Sequence, residues 1–263
     1  MEGVLKKVKM ALHVSKYPTG LDKKVNDFER TVLLRQQSGE VRVIGIVGLS
    51  GVGKTTLAKE IFNRQISNYS RSCCLLDVRE KPLIILQSIL LKKLAQFNEQ
   101  IYSVDDGIEK LTRYLSSLHA LVILDDVDHV QQLDALLLPM KDALLEGSLI
   151  LVTSSNKDVL ANSDIADSSI YKLKGLDRQL SRELFCWHAF SQPHPEIGFE
   201  KVVESFLDKS DELPLSLAVV GASLRGKNDL SYWEAQLRKF SKILPDDIQS
   251  VGVNHLNHPV NMH

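Results

Sequence analysis

The sequence predicts an α/β protein in which a doubly wound, mainly parallel sheet is followed by a small helical bundle. Two observations support this prediction. Up to residue 176, short apolar runs suited to buried strands alternate with stretches of helical periodicity. Beyond residue 176, helical periodicity continues without a strand-like run, which predicts helices packed against one another.

The first strand is predicted at residues 41–47, because this β-branched run suits a strand buried on both faces of a parallel sheet. A helix at 55–66 should follow, since Leu57, Ile61, Phe62 and Ile66 form one apolar stripe. Further strands are predicted at 73–78, 121–124, 149–152 and 170–173, and further helices at 83–97 and 108–118. The helices of the bundle are predicted at 180–190, 199–207, 214–224 and 232–240.

Composition narrows the class of protein. The 263 residues are 44% hydrophobic and 25% charged, which is typical of a globular chain. The net charge of −1 gives no overall attraction to nucleic acid or to an anionic membrane, so neither partner is expected. Three cysteines, Cys73, Cys74 and Cys186, are expected to be buried and reduced. With no apolar targeting stretch at the start, we expect the cytoplasm, or the nucleus.

A glycine-rich motif follows the first predicted strand. Residues 48–55, GLSGVGKT, match G-x-x-x-x-G-K-[ST] with a strand before and a helix after, which predicts the P-loop NTPase fold. Glycines at these positions are expected to let backbone amides converge on phosphate oxygens. Lys54 is predicted to reach the β and γ phosphates, and the Thr55 hydroxyl to bind Mg²⁺. The predicted nucleotide-binding residues of this loop are Gly48, Gly51, Val52, Gly53, Lys54, Thr55 and Thr56.

A pair of carboxylates ends a later apolar run. Asp125 and Asp126 follow residues 121–124. A P-loop requires a second oxygen ligand for Mg²⁺ at the end of a buried strand, and Asp125 is the predicted ligand. Asp126 is the predicted catalytic residue, which would orient or deprotonate the attacking water.

Together with the P-loop, four ordered blocks of sequence resemble a known family. These blocks are YPTGL at 17–21, LDVRE at 76–80, LDDVD at 124–128 and LPL at 213–215. In them the chain resembles, over residues 17–248, the NB-ARC module of plant NLR disease-resistance proteins, in the branch with a Toll/interleukin-receptor-like domain. The resemblance implies a truncated member that lacks the second helical subdomain with its Met-His-Asp motif, the leucine-rich repeat and the signalling domain.

The resemblance implies a switch that rests with ADP and signals after exchange for ATP, with slow hydrolysis that resets it. Thr19, Gly20 and Pro214 would lie near the base of a nucleotide held between the α/β domain and the helical bundle. Implied partners are copies of the same protein and other immune receptors. The predicted divisions are an entry segment at 1–40, a nucleotide-binding domain at 41–176, a helical subdomain at 177–248 and a loose tail at 249–263.

Two residues depart from the family pattern. Ser155 stands where the family usually has an arginine that senses the γ-phosphate, which removes the expected cation. Glu212 stands where the LPL block is usually preceded by glycine. Two alternatives to a signalling switch therefore stay open: a stand-alone P-loop ATPase, and a non-catalytic truncated adaptor or decoy.

Overall fold

The computed structural model of the chain describes residues 11–33, 40–163, 165–210 and 212–240. The chain divides into two compact units, Met1–Lys174 and Gly175–His263. The predicted tail at 249–263 lies outside the described residues. Within the described ranges, no helix is both long enough and apolar enough to span a membrane.

In the described residues of the first unit, five strands form a sheet in which every pairing is parallel. The strands are β1 (Arg42–Val47), β2 (Arg71–Leu75), β3 (Ala120–Leu124), β4 (Leu149–Ser154) and β5 (Ile170–Lys172). Their order is β2-β3-β4-β1-β5, which confirms the predicted doubly wound sheet. Because β4 lies between β1 and β3, residues that end these three strands meet at one edge of the sheet.

Six α-helices accompany this sheet in the described part of the first unit. They are α1 (Leu21–Phe28), α2 (Lys54–Gln65), α3 (Leu83–Leu90), α4 (Val104–Leu115), α5 (Val130–Ala143) and α6 (Lys157–Ala161). A π-helical turn, Leu91–Ala95, extends α3. The core is apolar on the sheet and on the inward faces of the helices, as shown by fully buried Leu57, Leu86, Leu111 and Leu136.

Some predicted boundaries were wrong. Strand β2 ends at Leu75 rather than at residue 78, because Asp77 takes a left-handed conformation with φ 53° that an extended strand cannot continue. Helix α4 begins at Val104 rather than at residue 108, because the Ser103 hydroxyl accepts a hydrogen bond from the Asp106 amide and caps the helix.

The segment that precedes β1 is fastened to the first unit. The Tyr171 hydroxyl of β5 donates a hydrogen bond of 2.7 Å to Asp27 in α1. The side-chain amide of Asn63 in α2 pairs with the backbone of Leu12 at 2.7 and 2.9 Å. The entry segment therefore packs on the helix that follows the glycine-rich loop.

The described residues of the second unit form helices joined by turns, with no strand among them, which confirms the predicted bundle. Its helices are α7 (Arg178–Phe190), α8 (Glu200–Lys209) and α9 (Pro214–Leu224), and residues 230–240 are also helical. Trp233, only 1% exposed, lies at the centre of its core. Rings from α7 and α8 and the turn between them surround it, namely Phe185, Phe190, Phe199 and Phe206.

Candidate functional site

The glycine-rich loop connects β1 to α2, and its glycines are required for different reasons. A Cβ atom on Gly48 would lie 2.6 Å from the Leu173 carbonyl oxygen, so Gly48 allows the loop to pass close to the end of β5. Gly51 and Gly53 have φ angles of 76° and 101°, which favour glycine. A Cβ atom on Gly53 would meet no atom within 4 Å, so its backbone conformation, rather than crowding, requires glycine.

Helix α2 begins directly after this loop, with Gly53 as its N-cap. Among the described residues, no side chain caps this end of the helix, which leaves the amides of its first turn, including that of Thr56, without a capping side chain. Within the glycine-rich loop, Val52 is buried at 2% exposure, and its amide donates to the Leu49 carbonyl at 3.2 Å. An uncapped helix start beside a glycine loop is a site suited to an anion.

Lys54 places its ammonium group inside the loop. Its Nζ donates to the carbonyl oxygens of Gly48 and Leu49 at 2.8 and 3.1 Å, and to Ser155 Oγ at 2.8 Å. Burial lowers the pKa of this ammonium group, while attraction to the carboxylates at the end of β3 raises it. The Lys54 side chain is thus a partly desolvated cation held by the carbonyls of the loop.

Asp125 is 2% exposed and lies at the end of β3. Thr55 Oγ1 donates to both of its carboxylate oxygens, at 2.8 and 3.0 Å, and Thr153 Oγ1 donates to Oδ1 at 2.7 Å. Burial raises the pKa of Asp125, and the two hydroxyl hydrogen bonds oppose this effect. A threonine hydroxyl and a carboxylate in contact are the oxygen donors that suit Mg²⁺.

Asp126 turns in another direction from its neighbour. Its backbone has φ 62°, and its amide donates to Thr153 Oγ1 at 2.9 Å. Its carboxylate forms an ion pair with Arg79, with Oδ2 and Nε 2.9 Å apart. The residue predicted to activate water is therefore engaged with a guanidinium group.

Two contributors to the site, Thr153 and Arg79, were not predicted from the sequence, and Ser155 was noted only as a position without the expected cation. Thr153 Oγ1 donates to the Asp125 carboxylate and accepts from the Asp126 backbone amide, and Ser155 accepts a hydrogen bond from Lys54. A signal existed, since polar residues end an apolar strand at 149–154. Its meaning depends on the strand order, which places the end of β4 between β1 and β3.

The three residues predicted near the base occupy other parts of the chain. Thr19 and Gly20 form the turn that opens α1, where Gly20 has φ 70°. Pro214 is the first residue of α9 in the second unit, a position where its missing amide costs nothing. Their contact with a base stays a prediction.

The sequence of this chain is similar to those of plant disease-resistance proteins. The chain is 34% identical over 224 residues to Disease resistance protein RUN1 of Vitis rotundifolia, covering 83% of this chain and 16% of that protein. It is 33% identical over 238 residues to Disease resistance protein RPV1 of the same species, covering 88% of this chain and 17% of that protein. The chain thus spans less than a fifth of these relatives.

Among solved structures, Cdc6p from Pyrobaculum aerophilum superposes with a TM-score of 0.56, covering 96% of this chain and 71% of that chain. At 13% identity this likeness concerns the fold alone. The profile of the NB-ARC domain matches residues 23–194, which include the glycine-rich loop and both carboxylates. The chain belongs to the NB-ARC domain family.

Proposed function

We propose that this chain is the nucleotide-binding switch module of a plant disease-resistance protein, and that it binds ADP or ATP with Mg²⁺ in its first unit. The observation that carries the proposal is the contact between Thr55 and Asp125. These residues are 70 positions apart in the sequence, and the Thr55 hydroxyl is 2.8 Å from the carboxylate. A hydroxyl at the start of a helix and a strand-end carboxylate form an oxygen ligand pair for Mg²⁺.

The phosphates would be held by the amides from Gly48 to Thr56, supported by Lys54. The ammonium group of Lys54 now donates to two loop carbonyls. Phosphate oxygens are stronger acceptors than carbonyls for a charged donor, so a bound polyphosphate would replace these partners. When bound, Mg²⁺ would neutralise phosphate charge, with Thr55 and Asp125 as its protein ligands.

Hydrolysis would be slow at most. Asp126, the candidate for orienting water, is paired with Arg79 at 2.9 Å, so one of its carboxylate oxygens is already engaged with a guanidinium group. Ser155 is neutral and adds no charge to stabilise a transition state. The same two observations favour a second candidate function, a non-catalytic adaptor that retains ADP.

The relatives suggest the biological setting of the module. RUN1 and RPV1 are disease-resistance proteins, and we propose the same role for the protein to which this chain contributes. Its proposed partners are copies of itself or other immune receptors, in the cytoplasm or the nucleus. Residues 41–176 would form the nucleotide-binding domain and 177–248 a helical subdomain.

Calorimetry with purified chain tests the proposal. Mg²⁺·ADP and a Mg²⁺-bound non-hydrolysable ATP analogue should bind the wild type, and Lys54→Ala should weaken both by at least about tenfold. Lys59→Ala is the matched control, because it removes the same charge from the same helix. Unchanged affinity in Lys54→Ala, or no binding by the wild type, would contradict the proposal. Mass spectrometry of copurified nucleotide would distinguish a module that retains ADP.

A further inference from the structure

Arg79 lies in a short 3-10 turn, Val78–Glu80, directly after β2. Backbone hydrogen bonds fasten this turn to the end of β3. The Val78 amide donates to the Asp125 carbonyl at 2.9 Å, and the Arg79 amide donates to the Asp126 carbonyl at 3.3 Å. The position of Arg79 is therefore tied to the two residues that carry the carboxylates of the site.

Both turns at this edge contain a left-handed residue that is not glycine. Asp77 has φ 53° before the first turn, and Asp126 has φ 62° in the second. Such conformations cost free energy and persist where surrounding contacts hold them. Here the backbone hydrogen bonds between the two turns hold the two left-handed residues in place. The same hydrogen bonds keep Arg79 next to Asp126, with which its side chain pairs.

The ion pair leaves Arg79 able to take another partner. It engages Nε, whereas an arginine carries four more N–H donors on its two terminal nitrogens. The Arg79 side chain is 52% exposed and that of Asp126 is 26% exposed. A pair this exposed contributes little stability, while the fork of an arginine binds phosphate through two hydrogen bonds.

The charged and polar groups around Lys54 indicate which part of the site the Arg79 guanidinium group belongs to. The Arg79 Nε lies 2.9 Å from Asp126 Oδ2. The neighbouring carboxylate, that of Asp125, accepts a hydrogen bond from Thr55, the residue next to Lys54. On another side of Lys54, Ser155 offers only a neutral hydroxyl at 2.8 Å. Arg79 therefore supplies a second positive charge at the carboxyl end of β3, beside the Asp126 carboxylate.

We propose that Arg79 is the residue that distinguishes ATP from ADP in this chain, by contacting the terminal phosphate of the triphosphate while it remains beside Asp126. This inference rests on the proposed function, because it assumes that the loop binds a nucleotide. It assigns to the turn after β2 a task that the residue at position 155 cannot perform, since serine has no charge.

The test compares Mg²⁺·ADP with a Mg²⁺-bound non-hydrolysable ATP analogue by calorimetry. Arg79→Ala should bind the analogue about tenfold more weakly, with ADP affinity within about twofold of the wild type. Arg79→Lys should recover only part of the loss, because a lysine keeps the charge without the planar fork. The double variant Arg79→Ala/Ser155→Arg should regain preference for the analogue.

Arg113→Ala is the matched control. It removes the same side chain from the last turn of α4, which returns to the amino end of β3 and so lies at the opposite edge of the sheet. This variant should bind both ligands like the wild type. Thermal unfolding of each variant verifies that it is folded before its affinities are compared.

The outcomes separate the two proposals. If the wild type binds both ligands but Arg79→Ala weakens them equally, or changes neither, the assignment of Arg79 is wrong and the proposed function stands. If the wild type binds neither ligand, both proposals fail. A selective loss for the analogue, reversed by Ser155→Arg, would support the assignment.

Discussion

The Thr55 hydroxyl donates a bifurcated hydrogen bond to the Asp125 carboxylate: Thr55 Oγ1 lies 2.8 Å from Oδ1 and 3.0 Å from Oδ2. The first residue belongs to the start of α2 and the second to the end of β3. This contact brings the glycine-rich loop and the strand-end carboxylate together in a buried place. A buried carboxylate kept for ligand binding should reduce stability.

Asp125→Asn should therefore raise stability at pH 7 without nucleotide or Mg²⁺, by about 1 kcal/mol or roughly 2–4 °C in Tm. Burial raises the pKa of Asp125 when the chain is folded. Between the unfolded and the folded pKa, the folded state binds more protons, so wild-type stability falls as the pH rises through this window. The gain should shrink as the pH falls through this window, because the acid becomes mainly protonated in both states only below about 4.

Thermal unfolding in EDTA from pH 4 to 8 measures this difference. The same variant should lose the dependence of nucleotide affinity on Mg²⁺, which calorimetry would show. A variant less stable than the wild type at pH 7 would indicate that the hydroxyl hydrogen bonds outweigh the cost of burying the charge.

Gly48→Ala should destabilise the chain by about 1–3 kcal/mol, because the new methyl group would press against the Leu173 carbonyl, which belongs to the backbone. Gly45→Ala, in the preceding strand β1, is the matched control. Its Cβ would lie 2.9 Å from the flexible end of Leu160, which can move, so its loss should be smaller. Urea unfolding compares the two, and equal losses would refute the role given to backbone crowding.

Ser155→Arg should raise the preference for ATP over ADP by about tenfold, since it places a cation beside Lys54. Calorimetric affinities for both nucleotides measure the ratio. Ser116→Arg, just after α4 at the opposite edge of the sheet, adds the same charge elsewhere. An unchanged ratio in Ser155→Arg would show that position 155 does not face the terminal phosphate.

Glu212→Gly should stabilise the second unit by roughly 0.5–1 kcal/mol, because Glu212 has φ 58° and glycine adopts this conformation without steric cost. The backbone there also accepts a hydrogen bond from the Leu176 amide at 3.2 Å, which the substitution preserves. Glu212→Ala keeps the strain and should bring no gain. A stabilised alanine variant in thermal unfolding would point to the glutamate side chain instead.

Cysteine labelling should be slow in the native chain. Burial raises the pKa of the Cys73, Cys74 and Cys186 thiols to about 12. At pH 8 this lowers the thiolate fraction about a thousandfold relative to an ordinary thiol, and the thiolate is the reactive form. Reaction with a disulfide reagent should become rapid only after denaturant is added. Rapid labelling of the native chain would show that these thiols are exposed.

Local sequence patterns were sufficient for much of the fold. Strands 41–47 and 121–124 could be predicted because an apolar β-branched run has few alternatives to a buried strand. The boundary after β2 could not, because Asp77 takes its left-handed conformation where the following turn bonds to the end of β3. Contacts made far along the chain decided that turn.

The sequence by itself determined the glycine loop, Lys54 and the carboxylate that follows β3, because their spacing is local and their chemistry allows few substitutes. Only the tertiary structure decided that Thr153 joins the Asp125 carboxylate to the Asp126 amide and that Arg79 pairs with Asp126. Those contacts follow from the order of the strands, which long-range packing selects and which no local pattern of residues encodes.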